Sequence, residues 1–358
     1  MKPNIFDIAT KELNQDAFIT WLLMFADEEC KGEDKALNEC AREFLTELIK
    51  SHYPNFDEKI TSVKAGRQRE NIDIWAEVDD RYFIVIEDKT NTKEHSNQLN
   101  RYKEAAERMA EGKSIVCIYI KTGNENKASL TRVENKGFKV FDRKNLIRIL
   151  EQYTDIKNNI FVDFLERIKR MEDKNNQFGE IAITEWQGSD WQGFFQFLEN
   201  ELEEKLPKTG MWWDYANNPS GGFWWYAFSK LPLTDKNFIY MQLEQSKARL
   251  CFKVSISDES AENDRRQIRN KLSNLFISEA RKEGFSEIKK PERFGKGKTM
   301  TFAVVEREGW FGNDKLDRES VIKNILKYQE FFIAFQKKFK ADTQSPKQAQ
   351  IPSLRFKK

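Results

Sequence analysis

The chain is poor in the residues on which much hydrolytic and metal chemistry depends. Its 358 residues include two histidines, His52 and His95. That excludes a histidine-rich metal nuclease, a zinc HExxH site and most Ser-His-Asp hydrolases. Neither a GxxxxGK[ST] loop nor a GxGxxG turn is present, so nucleotide hydrolysis and dinucleotide binding have no support. Four cysteines, Cys30, Cys40, Cys117 and Cys251, show no CxxC spacing. With no signal-peptide pattern they are expected to be reduced thiols in a cytoplasmic protein. No apolar run approaches the ~18–20 residues of a membrane span, so no membrane partner is expected. An excess of one charge is also missing. Sixty Lys and Arg against 58 Asp and Glu leave +2, so any nucleic-acid surface must come from local clustering. What remains is carboxylate and lysine chemistry.

That chemistry collects in one stretch, Asn71 to Tyr102. Residues 81–87, RYFIVIE, are β-branched and aromatic on both faces, which predicts a buried central strand. Residues 71–78 read as its hairpin partner, with Asp79-Asp80 as the turn. Three polar residues stand in this apolar setting: Asp73, Glu87 and Lys89. Glu87 and Lys89 are two apart and project from one face. A carboxylate and an ammonium at the end of a buried strand are costly unless paired or ligating. Asp73 and Glu87 together suit a hard divalent cation such as Mg²⁺. Such a metal polarises a phosphoryl oxygen and lowers the pKa of bound water. Lys89 beside it would orient or deprotonate that water.

The register sets a condition. A two-residue turn at Asp79-Asp80 puts Asp73 opposite Ile86, and Glu87 then points the other way. Convergence requires a three-residue loop or a bulge, and one of these is predicted.

The Asp73…Glu87-Asp88-Lys89 spacing resembles the D…ExK core of the PD-(D/E)XK nuclease superfamily, with Ile72 where the family name has Pro. Gln98-Leu99-Asn100-Arg101-Tyr102 is similar to the QxxxY helix of the branch that includes recombination nucleases. Glu12, in KELNQDAFITWLL, resembles the acidic residue many members carry on or beside the first helix. The resemblance covers roughly residues 1–170. It implies a restriction-endonuclease-like mixed sheet flanked by helices. It also implies a third metal-site candidate in Glu12, and Gln98 and Tyr102 supporting the metal site or the scissile phosphate. Stand-alone bacterial members often act in defence against foreign DNA, a role the resemblance makes an expectation here.

Along the rest of the first half, residues 14–27 read as a helix capped by Asn14 with a Leu13–Phe18 staple, Glu12 lying just before it. Residues 35–52 read as a second helix, and 57–69 as a strand ending in Arg67 and Arg69. These arginines are expected to point the same way near the metal site, as candidate phosphate contacts or as solvated edge residues. A helix from about Asn97 to Glu111 puts Gln98 and Tyr102 on one face. Strands at 114–120 and 138–141 with a polar loop between them, then helices at 143–151 and 157–171, complete a domain assigned to 1–172.

Residues 172–180 read as a linker. The second half holds seven of the nine tryptophans. It predicts an α+β domain over 184–340 with an antiparallel sheet of about five strands, followed by a loose tail, 341–358. In the adjacent pairs Trp212-Trp213 and Trp224-Trp225, one ring of each must face away from the core. The expected function is a metal-dependent nuclease, Mg²⁺ or Mn²⁺ its cofactor and DNA its partner, with a homodimer as a further candidate assembly. The second domain would serve specificity, dimerisation or regulation. The alternatives are a non-cleaving nucleic-acid-binding protein and a ligand-sensing regulator on the same fold.

Overall fold

The run Tyr82–Lys89 forms the centre of the first sheet because its apolar residues can be buried on both faces at once. From Phe83 to Lys89 every residue is buried. The structure is a computed structural model. It describes residues 3–94, 97–206, 211–218, 221–257, 264–312 and 314–344. The chain divides into two compact units, Met1–Lys174 and Asn175–Lys358.

The first unit runs α1 (Ile5–Ile8), α2 (Glu12–Met24), α3 (Lys35–Lys50), β1 (Val63–Arg69), β2 (Ile72–Val78) and β3 (Tyr82–Lys89). It continues through α4 (Gln98–Met109), β4 (Ser114–Lys121), α5 (Lys127–Glu134), β5 (Lys139–Asp142), α6 (Arg143–Leu150) and α7 (Asn159–Asn176). The sheet order is β1-β2-β3-β4-β5. The first three strands are antiparallel, and β3-β4 and β4-β5 are parallel. α4 makes the crossover that a parallel pair needs. One face of β3, with Ile84 and Ile86, packs in a core with Leu22, Phe44 and Phe164. The other, with Phe83 and Val85, packs against Leu99, Tyr102 and Ala106 of α4. This is the mixed sheet flanked by helices that the sequence predicts.

Several boundaries differ for physical reasons. α2 begins at Glu12, not at residue 14, and its N-cap Lys11 makes no side-chain cap, so Asn14 does not cap it. β1 begins at Val63. The polar loop after β4 contains α5, capped by Asn126, which accepts the Ser129 N–H at 2.8 Å. Residues 172–176 continue α7 instead of forming a linker. Tertiary contacts hold them: Glu172 pairs with Arg143 at 2.8 Å, and the buried Asn175 donates to Gln196 at 2.8 Å.

The second unit contains α8 (Gly188–Leu202), β6 (Trp212–Ala216), β7 (Phe223–Ala227), β8 (Leu231–Pro232), β9 (Asn237–Glu244), β10 (Arg249–Ile256), α9 (Arg265–Lys282), β11 (Thr299–Val305) and α10 (Arg318–Gln344). Its antiparallel sheet has order β11-β10-β9-β7-β6, with the two-residue β8 added on β9, so six strands stand where about five were expected. Phe194, Leu198, Phe276 and Phe332 from the three helices share one core with Met241 and Phe252 of the sheet. Trp213 is fully buried there. Its neighbour Trp212 lies on the other face beside Trp225, with the Lys230 ammonium 4.4 Å from its ring. The turn expected at Pro219-Ser220, the loop position of His95 and most of the tail lie outside the described residues, while α10 carries the chain to Gln344.

Candidate active site

The site is made by the loop between β2 and β3. Val78 pairs with Tyr82 and Ile74 with Ile86, so the loop has three residues, Asp79-Asp80-Arg81, not two. This is the geometry convergence requires, and it brings Asp73 level with Glu87. Asp79 and Asp80 take φ of 48° and 50°, a left-handed conformation that short polar side chains tolerate. The Asp79 carboxylate fixes the loop by accepting the Thr61 and Ser62 N–H groups at 2.9 and 2.8 Å.

Glu87 is 0% exposed, and neither of its carboxylate oxygens accepts a hydrogen bond. Burial, then the neighbouring Asp73, push its pKa up to about 8. The Lys89 ammonium lies directly against Glu87 Oε1, 3.7 Å from Asp73 and 3.9 Å from Glu12. Burial pulls the Lys89 pKa down, but Glu87, Asp73 and Glu12 outweigh it and leave it raised. Lys89 is therefore held as a cation, and the expectation that it deprotonates water is corrected to positioning and charge.

Glu12 opens α2. Its Oε1 accepts the Thr90 N–H at 2.9 Å and the Thr92 hydroxyl at 2.8 Å. Burial would raise its pKa, but these bonds and Lys89 lower it. One of its oxygens thus clamps the loop after β3. From α4, the Tyr102 hydroxyl donates to Asp73 Oδ1 at 3.1 Å, and Gln98 donates to Tyr102 at 2.8 Å. Tyr102 is 2% exposed, so it braces Asp73 from behind and is not available as the expected substrate contact. Gln98 reaches the site only through Tyr102.

Arg67 and Arg69 do not point the same way. Arg67 donates to the Leu13 carbonyl of α2 at 2.9 Å. Arg69 pairs with Glu77 at 3.3 Å and stacks on Trp75, on the α4 face. Gln68 between them has φ of 55°, which breaks the pleat alternation.

The sequence reasoning missed three neighbours. Lys121 is the β4 partner of Lys89 and is 2% exposed. It donates to the Thr92 carbonyl and pairs with Glu125 at 3.4 Å, holding the loop that Glu12 also holds. On the opposite face of β3, Asp88 accepts from Gln15 at 2.5 Å and faces Asp16. Burial pushes both carboxyls up, Asp16 to about 6. The available signals were a lysine closing the apolar strand IVCIYIK and an aspartate inside the apolar stripe of α2.

An orphaned, buried carboxylate beside a second carboxylate is short of positive charge, and its hard oxygen donors fit a divalent cation. Among the described residues, no three Asp, Glu, His or Cys side chains form a metal cage. Two carboxylates suffice for Mg²⁺, which keeps several waters and shares substrate oxygens. No helix among the described residues is long and apolar enough to cross a membrane.

No curated protein and no solved structure matches the chain. The family model of the PD-(D/E)XK nuclease superfamily matches residues 3–185, a span that contains the loop, both strands, α4 and Glu12. Over half of its length the chain carries that family's pattern, and it belongs to the PD-(D/E)XK nuclease superfamily.

Proposed function

We propose that the first unit is a metal-dependent nuclease that hydrolyses phosphodiester bonds in DNA, with Mg²⁺ or Mn²⁺ held by Asp73 and Glu87. The observation that carries this reading is the buried Glu87 carboxylate, bare of hydrogen bonds, level with Asp73 on adjacent strands. A cation bound there supplies Lewis acidity to a phosphoryl oxygen and a more acidic water. The chain's own residues do the rest. Tyr102 fixes Asp73 by donating to it, and Gln98 fixes Tyr102. Glu12 holds the loop after β3 through Thr90 and Thr92 and keeps its second oxygen toward Lys89. The Lys89 ammonium orients the attacking water and balances the negative charge that builds on the phosphoryl oxygens. Arg67, anchored on α2, and Arg69, paired with Glu77, frame the sheet edge as candidate phosphate contacts.

The test is cleavage of plasmid and linear DNA in Mg²⁺ and in Mn²⁺ by wild type and Lys89→Ala. Metal-dependent cutting that the variant loses is expected. Cutting of linear DNA alone identifies an exonuclease. DNA binding without cutting in either metal replaces this reading with that of a non-cleaving binder.

A further inference from the structure

The second unit has a cavity that this chemistry does not use. It holds about 560 Å³ at one end of the antiparallel sheet, within the range of small-molecule sites. Its walls are the turn before α8, the start of α8, the start of β7, the β9–β10 turn and the segment after β11. Trp186 lines it, is 6% exposed and has an indole N–H with no hydrogen-bond partner. Arg307 lines it too, and its buried Nε–H is also without a partner. An unsatisfied buried donor is costly, and native structures keep few of them. Two in one cavity call for a ligand with acceptors.

Charge narrows the class. The two lining cations are already compensated: Arg307 by Glu308 at 3.5 Å and Lys247 by Glu292 at 3.2 Å. The walls therefore offer no surplus positive charge to a phosphate. Glu306 and Glu308 add acceptors. A ligand matched to these walls is neutral, of modest size, and carries both acceptors and donors. Trp186 and Trp191, with ring centroids 5.0 Å apart, add aromatic wall for a flat molecule.

We infer that this cavity binds a nucleobase. Ring nitrogens and carbonyls of a base accept from the Trp186 and Arg307 N–H groups, and its amino or imino groups donate to Glu306. The choice of a base among neutral polar heterocycles rests on the nuclease reading of the first unit. The base comes either as a free nucleoside or as a base turned out of a strand, which costs a few kcal/mol of unstacking, least for single strands.

The full chain, in EDTA so that nothing is cut, is titrated with the four nucleosides, their 5′-monophosphates and a mixed-sequence single-stranded oligonucleotide. Intrinsic tryptophan fluorescence and calorimetry report binding. The same titrations are made on Trp186→Phe, which keeps a ring but removes the N–H, and on Arg307→Gln. At least one nucleoside is expected to bind saturably, its monophosphate no tighter, with each variant weakening binding about 3- to 10-fold. Stronger, variant-sensitive binding of the oligonucleotide assigns the source to a strand; binding of free nucleosides alone assigns it to a sensor. If no nucleoside or oligonucleotide binds, or if binding is unmoved by both variants, the inference is overturned. Arg307 is partly exposed, so its variant keeps the test valid if Trp186→Phe fails to fold. Because no metal is present, the outcome is independent of whether the first unit cuts DNA.

Discussion

Glu87 in the first unit and Glu244 in the second are the same residue type, each near the end of a strand and each buried. Their surroundings are opposite. Glu244 accepts from Arg249 at 2.8 and 3.2 Å, from Lys253 at 2.7 Å and from Gln242 at 3.1 Å. Burial would raise its pKa, but Lys253 and Arg249 outweigh that and lower it. Glu87 has Lys89 against one oxygen, no hydrogen bond on either, and a second carboxylate beside it, and its pKa goes up. Burial alone does not distinguish a structural carboxylate from a functional one. The distinction is whether the protein completes its partners or leaves a charge for something else to supply.

The largest expected effect breaks the comparison on the Glu87 side. Glu87→Gln removes one of two proposed ligands and should lower DNA cleavage by about 10³-fold or more, ~4 kcal/mol of barrier. It should cost no stability, because the carboxylate is unsatisfied in the fold. Gel-based cleavage rates and a urea titration on the same preparation check both halves. Retained cutting, or a large drop in the unfolding midpoint, would show that Glu87 is structural like Glu244.

Glu244→Gln should do the reverse. Removing the carboxylate leaves Arg249 and Lys253 partly uncompensated. Breaking a buried pair costs about 3–5 kcal/mol, and these side chains, 23% and 13% exposed, recover part of that from water, leaving about 2 kcal/mol. Cleavage per folded molecule should not change. The loss has a pH signature. A lowered folded pKa stabilises above the ordinary carboxyl value, 4.5 here, and that stabilisation disappears as pH falls through the lowered value. Wild type and variant should therefore differ at pH 7 and converge in acid.

The sequence exposed the site's centre because polar residues in an apolar strand are conspicuous, and strand arithmetic stated what Asp73 and Glu87 needed in order to meet. It did not reveal how the need would be met. Arg81 can extend β3 or belong to the loop, and only packing and the Asp79 clamp decide. The divergence of Arg67 and Arg69 was hidden for a similar reason. Gln68, Glu70 and Asn71 all take positive φ without a glycine to mark the break. Lys121 and Asp16 lie far from Lys89 and Asp88 in sequence and meet them only through the β3–β4 register and the packing of α2. Short-range patterns report strands and helices; they do not report which ends share a loop.

A third carboxylate setting sharpens the contrast, because the Asp16–Asp88 pair is buried without a cation of its own. Asp16 rises from 3.8 to about 6. A raised acid pKa costs nothing below the unfolded value and destabilises increasingly as pH rises to the folded one. Asp16→Asn should match wild type near pH 3.5 and be more stable at pH 8 by about 2 kcal/mol. Thermal unfolding of both proteins across that range measures it. A flat difference would mean that the pair carries no such penalty.

The smallest effect tests whether the first-unit site is braced as the second-unit pair is. Tyr102 donates to Asp73 as Arg249 donates to Glu244, yet it brings no charge. Tyr102→Phe leaves the ring packed among Leu99, Ala106 and Phe83 and removes only the hydroxyl. A hydrogen bond to a carboxylate is worth about 1.5–3 kcal/mol, and water reaching the partly exposed Asp73 returns some of it, leaving about 1 kcal/mol. The expected result is a 5- to 10-fold higher Mg²⁺ requirement for cleavage with little change in the rate at saturating metal. A fall in that saturated rate with the metal requirement unmoved would place Tyr102 at the substrate instead of behind Asp73.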